Sequence, residues 1–211
     1  MAAGNPPSLG VIILGAGASS RMGQPKLLLP WRKTTVIGHI IRQWEELGAG
    51  QITVVLRPGD APLIAELNRL AFPPSDRIEN PQSERGMFSS ILCAAHWNGW
   101  KPKIASVAVV LGDQPHLRLK TLRALLAFHG RHPDVVCQPE FRGHARHPVL
   151  LPRRIFEELK HTRAGTLKEF LKHISPDGVQ YPMTDAGLSL DLDTPEDYKE
   201  AVTHFSAHEK S

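Results

Sequence analysis

Cysteine is scarce in this chain. Cys93 and Cys137 are the only two among 211 residues, so one disulfide at most can form, and no zinc-ligand spacing exists. Free thiols suit a reducing, cytoplasmic compartment. Long apolar runs are missing as well; none approaches the ~18 residues of a membrane span. The opening residues Met1-Ala2-Ala3-Gly4-Asn5-Pro6-Pro7-Ser8 lack the charged and apolar regions of a signal peptide. They read as a disordered lead over residues 1–8. Charge does not come in blocks. A net charge of +4 suits anionic ligands, but no helix carries a basic stripe with interleaved aromatics, so nucleic acid is not an expected partner. The sequence holds no repeat, low-complexity segment or interdomain linker, and its length suits one domain.

What is present is an alternation of strands and helices. Val11-Ile12-Ile13-Leu14, Ile52-Thr53-Val54-Val55-Leu56 and residues 104–111 are apolar runs that read as buried strands. Residues 76–80 form a shorter strand candidate. Between them, Val36, Ile37, Ile40, Ile41, Trp44 and Leu47 recur at helical spacing. Residues 60–70, 87–97 and 119–128 read as further helices. This rhythm predicts an α/β fold with a three-layer, doubly wound, mostly parallel sheet. After His132 the pattern shifts to short strands at 135–137 and 148–151, helices near 152–160 and 166–174, and a last strand at 188–190. Thr194 as N-cap and Pro195 in the first turn open a C-terminal helix.

Ligands of such sheets bind beyond the carboxyl ends of the strands. Two segments sit there. The first is Leu14-Gly15-Ala16-Gly17-Ala18-Ser19-Ser20-Arg21-Met22-Gly23-Gln24-Pro25-Lys26. Its glycines and small residues let the backbone approach a ligand, and Arg21 and Lys26 can neutralise a polyanion. A dinucleotide fingerprint would need glycine at Ser20, and a P-loop would need Lys-Ser or Lys-Thr after Gly23. A tight surface turn is the plainer alternative. The second segment is Gly112-Asp113-Gln114-Pro115, where Asp113 ends an apolar strand. A carboxylate there can hold magnesium together with substrate phosphates, or cap a helix beginning near Leu117. Asp191 and Asp193 flank Leu192, and extended geometry sends both carboxylates to one side; they too can serve as caps.

The stretch 14–30 resembles the signature of a nucleotidyltransferase superfamily with a Rossmann-like, glycosyltransferase-A-like fold. It is most similar to the molybdenum cofactor cytidylyltransferase branch. Leu14-Gly15-Ala16-Gly17 stands where that branch reads Leu-Ala-Ala-Gly and the guanylyl branch reads Leu-Ala-Gly-Gly. The resemblance implies nucleotide contacts from Leu14, Gly15, Ala16, Gly17, Ala18, Ser19 and Ser20, catalytic roles for Arg21, Lys26 and Asp113, and Mg2+ on Asp113 and Asp193. Asn80, Gly86 and Ser89 match a base-recognition region in which Phe88 replaces a smaller residue. Gln114, Asp191 and Asp193 fall on the acceptor side. So do Gly143, His147 and Pro148 of a Gly-x-x-Gly-His-Pro segment whose second glycine is Arg146 here. A late Gly-Asp-x-Gly-Ala-Arg motif keeps only Gly165.

The activity so implied is transfer of CMP from CTP to the phosphate of molybdenum-bound molybdopterin, with release of pyrophosphate, for a receiving molybdenum hydroxylase. Cytidylyl or uridylyl transfer to a sugar or alcohol phosphate is the alternative within the class. A non-catalytic cofactor-delivery protein is the alternative outside it. One domain over 9–206 is expected, with a nucleotide half at about 9–130, an acceptor half at about 131–206 and a tail at 207–211.

Overall fold

The computed structural model describes residues 8–17, 22–174 and 178–207, the last four as backbone. Strand β1 (Ser8–Leu14) leads into a small hairpin, β2 (Pro30–Trp31) and β3 (Thr34–Thr35), and then helix α1 (Val36–Glu46). Next come β4 (Gln51–Leu56), α2 (Ala61–Arg69), β5 (Arg77–Glu79), α3 (Met87–His96), β6 (Ile104–Leu111) and α4 (Leu119–Arg131). The remainder is β7 (Cys137–Phe141), β8 (His144–Ala145), β9 (Val149–Pro152), α5 (Arg153–Glu158), α6 (Leu167–Ile174), β10 (Val179–Pro182) and α7 (Pro195–Ala207).

The main sheet runs β10-β7-β9-β6-β1-β4-β5. It is parallel from β6 through β5, and β9 is antiparallel to both β6 and β7. Alternation along β1 explains the layering. Val11 and Ile13 join a core with α1, α2, α4 and α7, while Ile12 joins a second core with α3, α5 and α6 on the opposite face. The helices therefore cover both faces of the central strands, while the flank strands β8 and β10 keep exposed positions.

Helix α1 shows how the sequence sets an element. Val36, Ile37, Ile40, Ile41 and Trp44 form its buried stripe, each worth roughly 1.5–3 kcal/mol in burial before entropy. Thr35 caps it, its hydroxyl accepting from Gly38 N at 3.2 Å. Gly48, at φ +80°, ends it in the left-handed region.

His39 rides on α1 beside Trp31, with ring centroids 6.1 Å apart. Burial first, then the Arg32 charge, lowers its pKa from 6.5 to about 4. The unfolded chain therefore takes the proton first as pH falls. The stability that neutral His39 provides is complete above about pH 6.5 and is lost as pH drops toward 4. His129 and His147 shift the same way, also through burial, so wild-type unfolding alone does not isolate the effect. The stability gap between wild type and His39→Gln in urea should shrink by about 2–3 kcal/mol from pH 7 to 4.5. A gap that does not change with pH would deny His39 that energetic weight.

Three expectations need correction. Residues 188–190 are not a strand; Ala186–Ser189 is a 3-10 turn. Asp185 forces it, accepting from Gly187 N at 3.1 Å and from Thr121 Oγ1 at 2.5 Å. The late strand is β10 instead, pairing parallel with β7. The strand expected at 135–137 is displaced to Cys137–Phe141, because Pro139 and Glu140, poor strand formers, sit inside a hairpin with β8. The helix expected over 119–128 does begin at Leu119, but Arg118 is its N-cap, which removes helix capping as the role of Asp113.

Candidate functional site

The adjacent carboxyl ends of β4, β1 and β6 deliver the site. Gly15 N donates to Val55 O at 2.8 Å, so the first turn leaves β1 still tied to β4. Two glycines let the chain ends crowd together. A Cβ on Gly15 would lie 2.9 Å from Val55 O, and one on Gly112 would lie 2.6 Å from Leu14 O. Leu27 closes against both, 3.0 Å and 2.8 Å from those same points. Gly17 differs, since a Cβ there would meet nothing within 4 Å. Packing within the described residues does not require that glycine, and those residues leave the space beside it open.

These turns border a cavity of about 550 Å³ lined by Leu14, Gly15, Ala16, Gly17, Lys26, Arg57, Gly86, Met87, Ser90 and Asp113, among others. Ala18, Ser19, Ser20 and Arg21 lie outside the described residues.

At one end of the cavity, charges converge from distant parts of the chain. Lys26 Nζ lies 2.5 Å from Asp193 Oδ1 and 3.6 Å from Asp113 Oδ2. Leu192 is fully buried, and its N–H donates to Asp113 O at 3.1 Å, so the two flanking aspartates turn outward beside Asp113. Helix capping does not consume them. Thr194 caps α7, its Oγ1 accepting from Asp197 N at 3.2 Å while its own N–H donates to Asp197 Oδ2 at 2.8 Å. Gln114 Nε2 donates to Asp191 Oδ1 at 2.8 Å, and Gln114 Oε1 is buried with no hydrogen-bond partner among the described residues.

Burial, followed by repulsion from Asp191, raises the Asp113 pKa, and Lys26 opposes the shift. Asp113 Oδ1 is buried and has no hydrogen-bond partner among the described residues. A lone-pair donor in that state, crowded by like charge, is what a cation would satisfy. Among the described residues no group of three or more His, Cys, Asp or Glu could hold a metal by itself. The donor set fits a divalent ion that takes one or two carboxylates and completes its shell with substrate oxygens and water.

Just before β9, His147 Nδ1 lies 3.3 Å from Val109 O, and burial lowers the His147 pKa against the pull of that hydrogen bond and of Asp191. Pro148 is buried and leads into β9. Gly143 stands at the exposed tip of the β7–β8 hairpin, its N–H donating to Glu140 Oε1 at 3.2 Å.

Asn80 is buried at 2% exposure. Its Nδ2 donates to Ser89 Oγ at 2.9 Å and Ser90 Oγ at 3.0 Å, and its Oδ1 accepts from Gln82 N at 2.9 Å. Ser89 Oγ is engaged with Gln82 O and Gly86 O. Asn80 and Ser89 thus hold the loop that sets Gly86, Met87 and Ser90 against the cavity, and they themselves line a separate groove on the outer side of α3. Met87 and Ser90 belong to the Gly86–Ser90 stretch that resembles a base-recognition region, whereas Arg57 carried no expectation. Arg57 had a usable signal, because it directly follows an apolar strand, as Gly112-Asp113 does.

The profile of the MobA-like NTP transferase domain matches residues 11–179. The chain is 26% identical over 200 residues to the molybdenum cofactor cytidylyltransferase of Escherichia coli strain K12, covering 92% of this chain and 96% of that protein. A nucleotidyl transferase from Methanothermobacter superimposes with a TM-score of 0.72 at 20% identity, over 95% of this chain and 98% of the other. The manganese complex of Rv0371c from Mycobacterium tuberculosis H37Rv superimposes with a TM-score of 0.66 at 23% identity, over 93% of this chain and 98% of the other.

Proposed function

Because the chain belongs to the MobA-like NTP transferase family, we propose that it transfers CMP from CTP to the phosphate of molybdenum-bound molybdopterin and releases pyrophosphate. One observation carries the chemistry: Lys26, Asp113 and Asp193 meet at the edge of a nucleotide-sized cavity at the strand ends. The cytidylyl choice is supported by the similarity to the Escherichia coli protein and by Ala16. The nucleotide half over about 9–130 and the acceptor half over about 131–206 divide the work. Receipt of the product by a molybdenum hydroxylase in the cytoplasm completes the reading.

An oxygen of the acceptor phosphate attacks the α-phosphorus in line, and the bond to the β-phosphate oxygen breaks. The attacking oxygen is already ionised, so no strong base is required. Positioning and charge stabilisation carry the rate. Asp113 and Asp193 would hold Mg2+, which supplies neutralisation of phosphate charge when bound. Lys26 moves from its carboxylate partners toward the phosphates as these arrive. At an effective dielectric of about 20, one such contact at ~4 Å is worth about 4 kcal/mol before desolvation. Gln114 Oε1, Asp191 and His147 face the acceptor, with Gly143 and Pro148 shaping that side.

Pyrophosphate release from a panel of nucleoside triphosphates, with Mg2+ or Mn2+ and with or without molybdopterin, tests the reading. CTP should exceed GTP in kcat/KM by about tenfold to a few hundredfold, the reach of pocket packing alone. An equal or inverted ratio overturns the cytidylyl assignment and leaves nucleotidyl transfer standing. Turnover that needs a sugar or alcohol phosphate instead moves the acceptor. Absence of release from every triphosphate overturns the enzyme reading in favour of a delivery protein.

A further inference from the structure

We propose that Arg57 binds the β- and γ-phosphates of the nucleotide, and the pyrophosphate that leaves, in a recess beside the main cavity. The inference rests on the nucleotidyl-transfer reading and adds to it a residue and a subsite.

Arg57 is the first residue after β4, beside the turn that leaves β1. A recess of about 300 Å³ opens there, and it shares Gly15, Gly17, Lys26, Leu27 and Arg57 with the main cavity. The two spaces are therefore continuous around the Gly15–Gly17 turn, with Arg57 on their common wall. The described charged residues lining the recess are Lys26, Arg57 and Asp60. Lys26 is held toward Asp113 and Asp193. Asp60 does not present a bare anion. Its Oδ1 accepts from Leu63 N at 3.3 Å as the N-cap of α2, and its Oδ2 takes Arg57 Nη2 at 3.2 Å. That carboxylate orients the guanidinium by one edge.

Arg57 Nε is buried and has no hydrogen-bond partner among the described residues. The rest of the side chain is 43% exposed, so an anion entering the recess can reach the guanidinium and satisfy that shielded donor. The guanidinium fork can give two parallel hydrogen bonds to a phosphate. The recess thus places a tethered, half-satisfied arginine where the tail of a triphosphate in the main cavity would extend.

Titration calorimetry with Mg2+ and three probes (inorganic pyrophosphate, CTP and CMP) decides the matter. Arg57→Gln should weaken pyrophosphate and CTP by about tenfold to a hundredfold, the worth of a charged hydrogen bond, and leave CMP within about twofold. Arg57→Lys should recover part of the loss. Should Arg57→Gln fail to fold, Arg57→Met, which keeps the apolar stem and removes the charge, should weaken pyrophosphate while sparing CMP. Unchanged pyrophosphate binding in these variants, or a loss confined to CMP, overturns the Arg57 assignment alone. A wild-type protein that binds neither CTP nor pyrophosphate overturns this inference together with the reading beneath it.

Discussion

Asp113→Asn is expected to lower turnover by about 10³-fold, ~4 kcal/mol in activation free energy, with no loss of stability. The substitution keeps size and shape and removes one negative charge. That charge sits 3.6 Å from Lys26 and is disfavoured by burial and by Asp191. Removing it relieves repulsion in the folded state, so the melting temperature should hold or rise. Active sites commonly show this opposition, in which a group arranged for chemistry is poorly arranged for stability. The weakening should extend to metal-dependent CTP binding and not to CMP binding without metal. Near-normal turnover at ordinary Mg2+ would remove Asp113 from any metal site.

Lys26→Ala should cut turnover by roughly 10²–10³-fold, in the range found when one preorganised donor is lost from a site of developing charge. Stability should fall modestly, because Lys26 opposes the crowding of Asp113 by Asp191 and Asp193. The pairs of Lys26 with Asp113 and Asp193 are partly solvated, with side-chain exposures of 15% against 27% and 31%, and such pairs contribute modestly. Lys26→Arg should recover only part of the rate, since a planar fork does not substitute for a compact ammonium. A collapsed melting temperature in Lys26→Ala would instead make the first loop a structural turn. Unchanged turnover would mean that its cation does not face the triphosphate.

The parallel half of the sheet was legible because it is written in runs. β6 was located to the residue, and β1 and β4 to within a few residues, since buried strands and amphipathic helices leave periodic signals. β10 left none. Val179, Gln180, Tyr181 and Pro182 form a half-buried edge strand whose pairing with β7 depends on residues about 40 positions away. The strand expected at 188–190 shows the converse, because local capping by Asp185 outweighs an apolar pattern. The meeting of the first loop with Asp113 follows from the strand-order rule for a parallel sheet's carboxyl edge, whereas Asp193, which follows no strand, was implied by the family resemblance and is brought there by the bond from Leu192 N to Asp113 O. The internal bonding of Asn80, Ser89 and Ser90 does not follow from any such rule, because it depends on side-chain directions within one loop.

The reversed strand β9 has a consequence for divergence. Running against β6, with Val149 opposite Val109 and Pro152 opposite Ser106, it brings its beginning to the rim where the parallel strands have their ends. His147 and Pro148 therefore enter the site from a hairpin that hangs off one flank of the sheet. Residues can be inserted or lost between β7 and β9 without shifting the register of β6, β1 and β4. In such a molecule one arm can change in length and sequence while the core of parallel strands stays intact, and chimeras joined at β6 and β9 are the natural way to exchange that arm between relatives.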